Sequence, residues 1–154
     1  MDINKFRLKD KKSYLIASSE KFASTDDFLD AVAKKLEKGT QAIELRENCS
    51  SKIFLEHGMR IRELCSIYNA LFFIHDRLDI AKLVKADGIH LPKNGFNIQT
   101  ARDFIEENII IGTTAETQND IIDAETQKFD YIICTKISQK IPKIHSFSEI
   151  KKII

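Results

Sequence analysis

Leu71-Phe72-Phe73-Ile74-His75-Asp76-Arg77-Leu78-Asp79-Ile80-Ala81, continued by Ala86-Asp87-Gly88-Ile89-His90-Leu91, decides the fold. The unbroken apolar run Leu71–Ile74 is the pattern of a strand covered on both faces, as strands of parallel sheets are. A short helix follows from Asp79 to Val84. Gly88–Leu91 is a second strand, stopped by Pro92 and the turn Lys93-Asn94-Gly95. Strand, helix and strand so closely spaced describe a right-handed crossover between parallel neighbours.

The same unit recurs on either side. Toward the N-terminus, Tyr14-Leu15-Ile16-Ala17 is a strand and Ser24-Thr25-Asp26-Asp27 caps a helix carrying Phe28, Leu29, Val32, Ala33 and Leu36 on one face. Gly39 ends that helix. Ala42-Ile43-Glu44-Leu45 is the next strand, and Ser50 or Ser51 caps a helix with an apolar stripe through Phe54, Ile61 and Cys65 that also takes in Ile53, Met59, Leu64 and Tyr68. Toward the C-terminus, the pattern predicts a helix over 98–107, a strand at Ile109-Ile110-Ile111, a helix from Gln118 to Lys128 and a strand at Tyr131-Ile132-Ile133-Cys134. A final helix is expected from Phe147 to Ile154. That makes roughly six strand–helix units in a single domain spanning 1–154, an α/β fold with a parallel sheet.

A doubly wound sheet would place a glycine-rich turn after its first strand. Here Ser18-Ser19-Glu20-Lys21 stands there, which favours a parallel (β/α) TIM-barrel-like fold, incomplete at about six units. Such a barrel gathers its site just after the strands. Ser18, Ser19, Arg46, His75, Asp76, Lys93, Thr113, Thr114, Thr135 and Lys136 all follow strand runs. Strand ends are polar in any α/β protein, so position alone does not make them a site.

Bulk composition excludes several classes. The 154 residues are 43% hydrophobic and 31% charged, an ordinary globular balance. A net charge of +1 supplies no whole-molecule field for nucleic acid or an anionic membrane. Three cysteines, Cys49, Cys65 and Cys134, without a CxxC, suggest reduced and mostly buried thiols. No leader or membrane span is read, so the expected location is cytoplasmic. His57 and His145 read as structural, and no HExxH, Walker loop or nucleophile elbow occurs.

Several strand ends resemble one family. Ile43-Glu44-Leu45-Arg46-Glu47 is similar to the "QLR" strand of the thiamine phosphate synthase and TenI group. His75-Asp76-Arg77-Leu78-Asp79-Ile80-Ala81 resembles its "NDRvDiA" segment. Ala86-Asp87-Gly88-Ile89-His90-Leu91 resembles "ADGvHL", Ile111-Gly112-Thr113-Thr114-Ala115 resembles "iGxSaH", and Phe129-Asp130-Tyr131-Ile132 resembles "aDYi". The resemblance runs from Tyr14 to about Lys143 in matching order. It implies an eight-stranded βα barrel and thiamine biosynthesis. In this family the synthase acts as a transferase, joining a pyrimidine pyrophosphate to a thiazole phosphate with magnesium. The TenI branch isomerises a thiazole carboxylate phosphate.

By the resemblance, Arg46 contacts phosphate oxygens, the alternative being an ion pair with Glu44 or Glu47. Asp76 matches the magnesium aspartate, the alternative being a pair with Arg77. His90, Thr113 and Thr114 line the pocket with Glu44 and His75. Asp76, Glu116 and Lys143 are the candidates for the chemistry. The departures are specific. Glu44 replaces the family glutamine and His75 its asparagine, and the second magnesium carboxylate falls nearest Gly95. One carboxylate would hold magnesium poorly. The TenI proton-carrying histidine falls at Glu116, which reads either as a desolvated proton carrier or as a helix cap. The reading is therefore an enzyme acting on a phosphorylated thiazole or pyrimidine pyrophosphate. The alternative is a catalytically degenerate ligand-binding or regulatory protein. Set against the family, the chain is expected to lack about two βα units and their phosphate-binding turn, with self-association expected to cover the open barrel edges.

Overall fold

Hydroxyl and amide side chains start most of the longer helices. In a computed structural model, which describes residues 2–105, 108–135 and 143–153, Ser24, Ser50, Asn97 and Thr117 each accept a backbone N–H from the first turn of the helix they precede. Such caps satisfy amides that have no partner within the helix. Thr117 and Asp120 bond reciprocally as a capping box. Gly39, at φ +100°, takes the left-handed turn after its helix as the sequence predicts.

The elements run α1 (Ile3–Leu8), β1 (Ser13–Ala17), α2 (Thr25–Glu37), β2 (Ala42–Leu45), α3 (Ser51–Ile67), β3 (Leu71–His75), α4 (Leu78–Leu83), β4 (Gly88–Leu91), α5 (Ile98–Phe104), β5 (Ile110–Ala115), α6 (Gln118–Thr126), β6 (Tyr131–Cys134), β7 (His145–Ser146) and β8 (Glu149–Ile153). All strand pairs are parallel, in the order β7-β6-β5-β4-β3-β2-β1-β8. Only Phe147 and Ser148 separate the two outermost strands in the chain. Three Cα–Cα steps reach at most about 11 Å, so the sheet curls until its edges adjoin. The fold is TIM-barrel-like, as expected.

Strand alternation then sorts the side chains into two cores. Leu15, Ile43, Phe72, Ile89, Ile111 and Ile132 point outward and pack beneath the helices. Tyr14, Ile16, Ala42, Phe73, Ile110 and Tyr131 point inward and fill the barrel. Two glycines make room there. A Cβ on Gly88 would lie 2.4 Å from the Phe73 ring, and one on Gly112 would lie 2.1 Å from the Tyr131 ring.

The floor of the barrel is closed by α1, which sequence patterning had left as a charged terminus. Leu8 enters the inner core at 1% exposure. Asn4 donates to the Ile109 carbonyl at 3.1 Å, and Arg7 pairs with Asp87. Asp87 and Asp130, the acids of the "ADG" and "DY" segments, do matching work at this end. Asp87 accepts the Phe72 amide at 2.7 Å and Asp130 accepts the Ile111 amide at 2.8 Å. Each holds the start of the neighbouring strand.

Two expectations are corrected. The helix expected over Phe147–Ile154 is instead extended: β8 pairs with the whole of β1, from Ser13↔Glu149 to Ala17↔Ile153, and Ile154 lies outside the described residues. The unpaired backbone groups of β1 give this segment ladder hydrogen bonds, which override a weak local helical pattern. The two residues of β7 just before it, His145 and Ser146, pair with the start of β6. β8 thus covers the whole length of β1, whereas β7 covers β6 only at Tyr131 and Ile132. The stripe expected on α3 is narrower than predicted: Ile53 and Met59 are exposed, whereas His57 and Gly58 are buried beside Phe54, Ile61 and Cys65. Of the thiols, Cys65 is buried but Cys49 is exposed. No helix among the described residues is long and apolar enough to cross a membrane.

Candidate functional site

Parallel strands bring their C-terminal ends to one rim, and the inward-facing residues just below it are polar. The centre is Glu44, with no exposed surface. It projects into the barrel because it alternates with the outward-facing Ile43 and Leu45 on β2. The Tyr14 hydroxyl donates to Glu44 Oε1 at 2.6 Å. Arg46, on the rim, reaches Oε2 with Nε and one Nη at 2.9 Å each. His75 Nδ1 stands 3.2 Å from the same oxygen, an ion-pair distance at an angle too poor for a hydrogen bond.

A second arm climbs the opposite wall. His90, 1% exposed, places Nδ1 3.0 Å from the Tyr131 hydroxyl and Nε2 2.9 Å from the Thr114 hydroxyl. The Tyr131 and Tyr14 hydroxyls are 3.0 Å apart, which joins the two arms. The result is a hydrogen-bonded chain from Arg46 at the rim, down through Glu44 and the tyrosines, and back up through His90 to Thr114. Buried polar groups of this kind are costly unless all are partnered.

The electrostatics assign the charges. Burial alone would raise the Glu44 carboxyl, but His90, His75 and Arg46 outweigh it and hold the carboxyl at about 2. Burial holds the His90 imidazole at about 4, against the pull of Glu44. At neutral pH Glu44 is therefore ionised and His90 neutral, so the carboxylate rests on Arg46, His75 and the Tyr14 hydroxyl. Burial first, and the Glu44 charge second, push both tyrosines well above the usual phenol range. They act as neutral hydrogen-bonding groups.

The remaining expected residues separate. Arg46 takes the Glu44 ion pair that the sequence left open. Asp76 stays on the rim, in the left-handed region at φ 62°, and Arg77 pairs with Asp79 instead. Thr114 faces the network, whereas the Thr113 hydroxyl donates to the Leu91 carbonyl at 2.8 Å and ties β5 to β4. Glu116 is exposed ahead of α6, and Thr117 does the capping, so neither burial nor a cap defines it. Lys143 is corrected: it precedes β7, whose His145 is in register with Tyr131 at the start of β6, so it lies at the end of the barrel opposite the rim. Its amide meets Glu125 at 3.3 Å. Lys136 lies outside the described residues.

Magnesium does not fit this donor set. A Cβ on Gly95 would lie 2.9 Å from Asp76 Oδ1, so position 95 does face Asp76, but glycine offers no ligand there. Among the described residues no group of three or more His, Cys, Asp or Glu side chains could hold a metal ion. Asp76 is left as a lone carboxylate, which is too few for an ion that prefers several oxygens.

Two features escaped the sequence. In the sequence Tyr14 and Tyr131 stand out only as members of their strands, although each lies two residues below an inward partner, Ile16 or Ile133, and so shares its parity. His57 is also engaged: Nδ1 is 2.5 Å from Glu47 Oε2 and Nε2 is 3.1 Å from the Thr25 hydroxyl. Glu47 further accepts the Ser19 amide and hydroxyl, tying α2 and α3 to the rim.

A family profile described as thiamine monophosphate synthase matches residues 13–146. A thiamine-phosphate synthase of Fusobacterium nucleatum is 36% identical over 126 residues, covering 81% of this chain and 61% of that protein. One from Clostridioides difficile is 33% identical over 147 residues, covering 92% and 70%. The solved thiamine phosphate pyrophosphorylase of Pyrococcus furiosus superposes with a TM-score of 0.75 at 27% identity, over 89% of this chain and 66% of that one. The chain thus spans about three-fifths of the first of these relatives.

Proposed function

The chain belongs to the thiamine monophosphate synthase family, and from that premise we propose that it serves thiamine biosynthesis by binding a phosphorylated thiazole, or the pyrimidine pyrophosphate, at the barrel mouth. One observation carries the reading. Arg46 is held at the rim by a fully buried carboxylate, with Nε and one Nη committed to Glu44 and its other donors directed outward on a side chain 40% exposed. A guanidinium fixed in this way is oriented in advance for phosphate oxygens.

Beneath it, the Thr114 hydroxyl, backed by the buried and neutral His90, faces the ring of the ligand. Because Tyr14 gives its proton to Glu44 and Tyr131 gives its own to Tyr14, His90 Nδ1 donates to Tyr131 and Nε2 accepts from Thr114. Asp76 and Glu116, both following strand ends, are the candidates for proton transfer. The donor set supports no step through magnesium, so none is assigned.

Calorimetric titration with thiazole phosphate, its carboxylated precursor and the pyrimidine pyrophosphate tests this directly. Micromolar binding of one of them, about −8 kcal/mol, is expected. Arg46→Ala should weaken that binding by about 1.5–3 kcal/mol, the scale of a charge-assisted hydrogen bond. No heat from any of the three with cooperatively folded protein would sink the proposal.

A further inference from the structure

On the β1–β2 side of the mouth a cavity of about 190 Å³ is lined by Ser18, Glu20, Arg46, Glu47 and, from the far end of the chain, Lys152. Register puts Lys152 there. It stands opposite Ile16, which belongs to the inner core, whereas Lys151 stands opposite the outward-facing Leu15. Alternation along β8 therefore sends Lys152 toward the mouth and Lys151 to the outside.

The donors around this cavity have capacity to spare. Ser18 is 8% exposed and accepts the Glu20 amide at 3.3 Å, while its own hydroxyl hydrogen meets no acceptor among the described residues. Arg46 keeps guanidinium hydrogens beyond those given to Glu44. The Glu47 carboxylate is 1% exposed and its oxygens are taken by His57 and Ser19, so it does not compete for the donors that face the cavity. Glu20 is exposed, and its amide is spent on Ser18. The volume is below the roughly 300–1,000 Å³ that encloses a whole drug-sized ligand, so it suits one small group.

We propose that Ser18, Arg46 and Lys152 form a subsite for the phosphate group of the ligand, an assignment that rests on the ligand being phosphorylated. The arginine supplies a planar fork, the lysine a compact charge and the serine a short directional donor, which together satisfy three phosphate oxygens.

The test is an NMR titration of the protein with inorganic phosphate and with pyrophosphate, following the Ser18 and Lys152 amides and the Arg46 Nε–H. Wild type, Lys152→Gln and Lys151→Gln are compared. Saturable shifts at Ser18, Arg46 and Lys152 are expected, with Lys152→Gln weakening phosphate about tenfold, or about 1.4 kcal/mol, and Lys151→Gln leaving it near wild type. Equal affinity in wild type and Lys152→Gln, shifts confined to other residues, or no saturable binding would each overturn the subsite. Thiazole phosphate and the unphosphorylated thiazole alcohol separate this from the parent reading. Phosphate binding at these residues with no gain from the thiazole ring would remove the proposed ligand and leave the subsite. Tight thiazole phosphate binding that ignores Lys152→Gln would do the reverse.

Discussion

Replacing Glu44 by glutamine tests the centre of the site, because it keeps the shape and removes the charge. The folded carboxyl sits at about 2, against an ordinary glutamate value of 4.5. At 1.36 kcal/mol per decade of proton affinity, that interval sets an upper bound of about 3 kcal/mol at pH 7, because part of it comes from a His90 charge that is absent there. Because the folded value is depressed, the stabilisation is fully present above 4.5 and drains away as pH falls toward 2. By pH 3 only about 1 kcal/mol of it remains. Glu44→Gln should therefore cost at most about 3 kcal/mol at pH 7, and less at pH 3. Urea unfolding of both proteins at the two pH values reads the difference, and the titrations that Glu44 does not touch cancel, His90 being the one it does. A cost that is the same at both pH values would refute the idea that this buried carboxylate is held ionised. A gain in stability at pH 7 would show that desolvation outweighs Arg46, His75 and Tyr14.

Two further perturbations probe the surroundings. His90 is held at about 4 against an ordinary 6.5, so the unfolded chain takes up a proton that the folded one refuses. Stability should fall by about 3 kcal/mol as pH drops from 6.5 to 4, and His90→Gln should flatten that slope in thermal melts; parallel slopes would contradict it. Gly112→Ala drives a methyl to within 2.1 Å of the Tyr131 ring and should cost about 1–3 kcal/mol by overpacking, measured by chemical denaturation. A neutral result there would mean that the barrel interior is looser than its geometry.

Much of the site was legible before the fold. Arg46, Asp76, His90 and Thr114 follow or end apolar runs, and the parallel arrangement sends those ends to one rim. Lys143 misled because its distance in sequence from β6 says nothing about which end of the barrel the returning chain reaches. Glu116 looked like a cap or a buried acid, yet Thr117 beside it offers better capping geometry. The partnership of His57 with Glu47 left no local trace, since it joins α3 to the rim through tertiary contact alone.

By itself the sequence determined the six strands from Tyr14 to Cys134, their parallel sense and the polar rim, because apolar runs, caps and turn residues act over a few neighbours. Only the tertiary structure decided the course of Glu149–Ile153, where a pattern compatible with a helix yields to the open edge of β1, more than a hundred residues away. It alone also decided that Tyr14, Glu44, His90 and Tyr131 meet. Each is merely an inward position on its own strand, and their hydrogen bonds exist only once the sheet curls and water is excluded from between them.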